Sequence, residues 1–119
     1  MKGIRLPAVI VLAIGAVFSA HAQTADTYPN RPIRIIVPYT PGAINDILAR
    51  RMAQHLGEEL KQTVIVENKP GAGTAIGTEY VARAAPDGYT LLQAAAAHSI
   101  LPSLVSKLPF DPIKSFEFI

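Results

Sequence analysis

The chain has 119 residues, with 11 Lys and Arg, 9 Asp and Glu, and no cysteine. The lack of cysteine excludes a disulfide framework and thiol lipidation. Lys2 and Arg5 sit in a leader and every acid lies beyond it, so the remainder is formally neutral and offers no electrostatic footprint for nucleic acid.

The leader has three parts. Met1 to Arg5 is short and basic, Leu6 to Ala20 is almost wholly apolar, and Ala20-His21-Ala22 is a small-x-small cleavage signal. The apolar run is shorter than the ~20 residues that span a bilayer. A secretory signal peptide over residues 1–22 is therefore expected, cleaved between Ala22 and Gln23. Residues 23–119 suffice in length for one small domain. Gln23 to Arg31 reads as a disordered lead-in.

Ile33-Arg34-Ile35-Ile36-Val37 predicts the first strand, stopped by Pro38 and Pro41. A helix follows over about Asn45 to Leu60. Leu48, Met52, Leu56 and Leu60 recur every four residues, with Ala49 and Ala53 beside them, as an apolar face. Asn45 or Asp46 is placed to cap its start. A second strand is expected from Thr63 to Val66, in an apolar run that suits a sheet covered on both faces. A second helix spans about Ala75 to Ala85, with Ile76, Tyr80, Val81 and Ala84 inward. Pro86-Asp87-Gly88 is a turn. Tyr89 to Ala94 is a third strand, Ala95 to Ser99 a third loop, and Ile100 to Lys107 a short helix interrupted by Pro102. Phe116 to Ile119 has the pattern of a further strand.

Strand, helix, strand, helix, strand implies an α/β fold with a mostly parallel sheet. The loops after the strands then share one sheet edge, where ligands of open α/β sheets bind. Two of these loops carry the same tripeptide, Pro41-Gly42-Ala43 and Pro70-Gly71-Ala72. Each precedes a helix whose first N–H groups and dipole favour an anion. Gly71, Gly73 and Gly77 let the second loop bend sharply and let a ligand approach it.

Enzyme chemistry has poor support. No G-x-x-x-x-G-K-[ST] run occurs. Gly71 to Gly77 is G-x-G-x-x-x-G, one residue too long for a dinucleotide fold, and the next strand ends in alanines rather than an acid. His55 reads as a solvated helix residue. No acid or second histidine is spaced to make a triad with His98 and Ser99. No cluster of ligands suggests a metal. Asp46 reads most simply as a helix cap.

Four ordered stretches carry a resemblance. They are Pro38-Tyr39-Thr40-Pro41-Gly42-Ala43-Ile44-Asn45-Asp46, Val66-Glu67-Asn68-Lys69-Pro70-Gly71-Ala72-Gly73, Ala85-Pro86-Asp87-Gly88-Tyr89-Thr90-Leu91-Leu92 and Leu108-Pro109-Phe110-Asp111-Pro112. From Tyr28 to Ile119 the chain resembles the N-terminal part of the tripartite tricarboxylate transporter substrate-binding proteins, the TctC or Bug family. The resemblance implies a type II periplasmic-binding-protein-like domain, with residues 23–119 forming the N-terminal part of the first of two α/β domains. It implies a periplasmic, non-enzymatic protein without cofactor, which closes on a small carboxylate. Its expected partners are one large and one small membrane subunit. It points to Tyr39, Thr40, Gly42, Ala43 and Asp46 in the first loop, Gly71, Ala72 and Gly73 in the second, and His98 and Ser99 after the third strand. The family usually has two glycines where Gly42-Ala43 stands, and often two at Gly73-Thr74. Two other readings stand beside this one: a truncated product that does not bind, and a fragment of a nucleotide-binding α/β enzyme.

Overall fold

The structure, a computed structural model, describes residues 27–119. The leader and its cleavage site lie outside the described residues. Three parallel strands form one sheet: β1 (Ile33–Val37), β2 (Val64–Asn68) and β3 (Thr90–Leu92), in the order β2-β1-β3. The first strand is central, as in flavodoxin-like sheets. Ile35 is in register with Val66 on one side and Leu91 on the other. A strand flanked on both edges reads as an unbroken apolar run, and Ile33, Ile35, Ile36 and Val37 are all buried. Each contributes about 1.5–3 kcal/mol by leaving water.

β2 runs two residues beyond the expected end. Arg34 of β1 grips Glu67 with two hydrogen bonds, Nε–Oε1 at 2.6 Å and Nη2–Oε2 at 2.7 Å. This cross-strand pair keeps the ladder going past the apolar run. β2 is an edge strand, and Ile65 is exposed rather than covered. β3 is shorter than expected as a strand, although pairing continues at both ends. The Arg34 N–H donates to Tyr89 O at 2.8 Å, and the Gln93 N–H to Ile36 O at 2.9 Å.

Helix α1 (Ile44–Leu60) buries only one side of its expected apolar face. Ala49 and Ala53 are buried, and Leu56 packs against the core of Ile35 and Val37. Leu48 and Met52 are about half exposed. The inward row is buried Asp46, Ala49 and Ala53 with half-buried Leu56, a true helical face with a charged residue at its head. Asp46 is pinned by polar partners at the end of the sheet, and this fixes the helix rotation. The N-cap is Ala43, without a side-chain bond; Asp46 instead reaches back from the first turn to the Gly42 N–H, 2.9 Å away.

Helix α2 (Ala75–Ala82) is three residues shorter than expected. Pro86 disfavours helical geometry at Ala85, and the end tightens with an Ala84 N–H bond to Val81 O. Its buried residues are Gly77 and Thr78, not Ile76 and Tyr80. Tyr80 lies instead beneath two cations, with Lys69 Nζ 4.3 Å and Arg34 Cζ 5.5 Å from its ring centroid.

The expected third loop is largely helical. Helix α3 (Ala96–Leu104) starts within it and contains Pro102. Alanine is the best helix former, so a run of four starts a helix as readily as a loop. Buried Leu101 anchors it. Phe116 to Ile119 forms no strand among the described residues. Phe116 and Phe118 pack edge-on against His98. The lead-in is also tied down from Tyr28 onward. Tyr28 Oη donates to Gly88 O at 2.8 Å, and Arg31 pairs with Asp87 at 2.7 Å. Among the described residues no helix is long and apolar enough to cross a membrane.

Candidate ligand-binding site

The parallel sheet brings the ends of β1, β2 and β3 to one edge. The loops after β1 and β2 are in direct contact there. The Lys69 N–H donates to Val37 O at 2.8 Å, and Asn68 Nδ2 donates to Tyr39 O at 3.1 Å. Gly77 of α2 lies against Pro38. α3 packs on the single 3-10 turn Ala72–Thr74 that precedes α2. The first and second groups of expected site residues therefore lie side by side, with α3 adjoining the second.

The two matched tripeptides adopt different conformations. In the first loop Gly42 has φ +83°, and Ala43 is already the extended N-cap of α1. In the second, Gly71, Ala72, Gly73 and Thr74 all have positive φ, at +128°, +46°, +61° and +85°. The extra residues Gly73 and Thr74 make a left-handed turn before α2 begins. Ala72 and Thr74 hold this geometry against their Cβ atoms, and for a β-branched residue it is an outlier. Gly71 has a second constraint: a Cβ there would lie 2.6 Å from Ile76 Cδ1.

Exposure sorts the ten expected residues. Thr40, Gly42, Gly71, Ala72, Gly73 and Ser99 are exposed, and Tyr39 and Ala43 are half-buried. The Tyr39 side chain packs toward the core, which leaves its backbone at the loop. The N–H groups of Ala43 and Asp46 are taken by Thr40 O and Ala43 O. Gly42 donates to Asp46. Ile44 and Asn45 then carry the first-turn donors of α1 with no partner recorded among the described residues.

Asp46 and His98 are the two buried members. Asp46 Oδ1 accepts from Asn68 Nδ2 at 2.9 Å and pairs with Arg50 Nη2 at 3.0 Å. Its Oδ2 accepts from Gly42 N at 2.9 Å and Arg50 Nε at 3.1 Å. The Arg50 guanidinium, then the Gly42 and Asn68 donors, hold the carboxyl down at about 2. His98 sits in the first turn of α3, not in a loop. Its Nε2 lies 2.7 Å from Pro112 O and its Nδ1 is buried without a partner among the described residues. The ring faces the 112–118 segment. It lines a hollow of about 680 Å³ beside β3, shared with Leu91, Phe116 and Phe118. A smaller hollow of about 500 Å³ opens between Arg34, Tyr80 and Tyr89. Neither hollow is lined by the glycines of the two loops.

Asn68, Arg50 and Thr74 were missed as site residues by the sequence reading. The Asp46–Arg50 spacing of four was a legible signal for their ion pair. Nothing local marked Asn68, because its partners are distant in sequence; Thr74 was marked only as a residue standing where the family often has glycine, which its positive φ accounts for. Among the described residues no group of three or more His, Cys, Asp or Glu could hold a metal.

Residues 48–119 match the model of the tripartite tricarboxylate transporter family receptor, TctC. Protein BugT of Bordetella pertussis is 44% identical over 117 residues, covering 98% of this chain and 36% of its own length. A solved structure described as a periplasmic transporter is 49% identical with a TM-score of 0.68, covering 73% of this chain and 30% of that one. MatC from Rhodopseudomonas palustris, solved with bound malate, is 34% identical with a TM-score of 0.63, covering 75% and 31%. The chain thus spans about a third of the length of the relatives it matches. A strand–loop–helix pair joined at one sheet edge, in a parallel sheet that these structures share, agrees with the sequence match: the chain belongs to the TctC family of tripartite tricarboxylate transporter receptors.

Proposed function

We propose that this chain is the N-terminal part of a periplasmic solute-binding protein that captures a small carboxylate for a tripartite tricarboxylate-type transporter. Residues 1–22 serve as its export signal, and residues 23–119 form the N-terminal part of the first of two α/β domains. The carboxylate lies across the loops after β1 and β2, held by main-chain N–H groups at Thr40, Ile44 and Asn45 and at Gly71 to Gly73. Ser99 adds a hydroxyl beside them. The observation that carries this reading is the contact between the two loops. It sets the N-termini of α1 and α2 and a run of left-handed backbone at one edge of the sheet. The malate in MatC supports a carboxylate as the ligand class.

Magnitudes say what else is required. Each helix N-terminus stabilises an anion by ~0.3–1 kcal/mol, up to ~2 in favourable sites. Micromolar affinity needs about 8 kcal/mol. Direct hydrogen bonds and exclusion of water by a second domain supply the remainder.

Calorimetry on the complete gene product tests the reading. Malate, other small mono- and dicarboxylates and their neutral amides are titrated in turn. At least one carboxylate binds at micromolar affinity or tighter, and its amide does not. If no carboxylate binds, the proposal fails.

A further inference from the structure

We infer that Asp46 is a positioning residue: through Gly42 and Asn68 it ties the loop after β1 to the end of β2, and so sets how the two halves of the cradle face each other. This rests on reading the two loops as one carboxylate cradle. It also replaces the expectation that Asp46 touches the ligand.

Three observations carry it. First, the carboxylate has no acceptor capacity to spare. Its two oxygens take four contacts, from Gly42, Asn68 and twice from Arg50, all between 2.9 and 3.1 Å. It is also nine-tenths buried, and a second carboxylate would meet a like charge. Second, the contacts reach beyond a helix cap. A cap serves its own helix, whereas Asn68 lies on a different strand, 22 residues away. The same Asn68 amide group also donates to Tyr39 O, and its Oδ1 accepts from Arg50 Nη2 at 3.1 Å. Third, the residue after Asn68 leads directly into the second loop. The Lys69 N–H is fixed on Val37 O, and the Lys69 carbonyl lies beneath Gly77 of α2. One carboxylate is thus connected to the backbone at the base of both loops.

The arrangement has a chemical consequence. The Gly42 N–H points at Asp46 and is withdrawn from the ligand. Donors of the first loop are then those at its tip and at Ile44 and Asn45. Asp46 selects which N–H groups face the ligand without touching it.

Hydrogen exchange read by mass spectrometry tests the tie on the complete gene product, without any ligand. Two variants are compared, Asp46→Asn and Asn68→Ala. Asn68→Ala leaves the Asp46 bonds to Gly42 and Arg50 in place. It is nevertheless expected to speed exchange in the peptide covering residues 38–46 by about tenfold or more, the scale of a lost bond to a charged group. Asp46→Asn is expected to speed exchange in that peptide and in the one covering residues 69–77. Exchange in α3 stays unchanged. If Asn68→Ala leaves the first loop unchanged, Asp46 is a local cap, and if α3 loosens equally, the effect is general destabilisation; either result overturns the inference. The exchange result stands whether or not a carboxylate binds. A binding arm with malate then separates the two ideas. Binding by the natural protein that weakens about tenfold in both variants supports the positioning role. Binding that is unchanged in both overturns it.

Discussion

Gly77 lies against Pro38 so closely that a Cβ on the glycine would sit 2.8 Å from the proline Cβ and 2.7 Å from the Lys69 carbonyl oxygen. Both distances are far below van der Waals contact, and the Lys69 side of the clash is backbone. The seat of α2 on the sheet edge therefore depends on a hydrogen atom at position 77. Gly77→Ala gains up to ~1 kcal/mol of helix propensity. It costs about 1–3 kcal/mol through overpacking. Net destabilisation of about 1–2 kcal/mol is expected, read as a lower midpoint in urea. An unchanged or higher midpoint would show that α2 can shift freely.

Thr74 is the opposite case. It holds φ +85°, and its Oγ1 is buried without a partner among the described residues. Thr74→Gly removes ~1–2 kcal/mol of left-handed strain and about 1–3 kcal/mol of unpaired hydroxyl. Against this stand a buried methyl group, ~0.8 kcal/mol, and glycine's extra chain entropy, ~0.5–1 kcal/mol. A net gain of about 2 kcal/mol is expected. Chemical denaturation checks it, and a loss of stability would contradict it.

Among the described residues, three carboxyls are held low and shape the acid limb of stability. Asp46 is held at about 2 by Arg50, Gly42 and Asn68. Glu67 is lowered chiefly by Arg34, and Asp111 by the N–H groups of Lys114 and Ile113. Groups lowered in the folded state contribute fully above their unfolded values. That contribution is lost as pH falls through the folded values. For Asp46 the window runs from its ordinary value of 3.8 down to about 2. The midpoint in urea should therefore fall between pH ~4 and ~2, and fall less steeply in Asp46→Asn. Equal slopes would remove Asp46 from this account.

The glycines of the second loop should govern affinity. Gly71→Val forces a β-branched residue to φ +128° and drives its Cβ into Ile76. Gly73→Val meets no neighbour but requires φ +61° and projects a side chain into open space at the loop. Both are expected to abolish carboxylate binding, while Thr90→Val in β3 changes affinity less than threefold, roughly 0.6 kcal/mol. Calorimetry on the complete gene product with the carboxylate it binds would decide. Retained affinity in both glycine variants would move the ligand elsewhere.

Export is checked separately. Intact-mass measurement of periplasmic material should find a protein beginning at Gln23. Material that keeps Met1 and stays in the cytosol would contradict the leader reading.

Much of this chain was legible because its signals are local. Ile33 to Val37 is a continuous apolar run with Pro38 behind it, and the strand forms within those bounds. Two strand–loop–helix units can join parallel strands only by crossing over, so the shared edge and the adjacent loops followed from element order. Motifs spread along the whole sequence placed the family.

Tertiary structure decided the rest. The apolar face of α1 is wider than the part it buries: Ala49 and Ala53 meet the sheet while Leu48 and Met52 stay half exposed, and bonds from Gly42 and Asn68 hold Asp46 at the head of the buried side. Two identical tripeptides took different conformations, because only the second is followed by a left-handed turn ahead of its helix. His98 turned toward Pro112 and Phe116, whose positions no local pattern encodes. Asn68 became the link between two loops because parallel pairing sets it opposite Val37, where the first loop begins. Periodicity reports what a segment can bury. Which face it does bury depends on polar partners brought from distant parts of the chain.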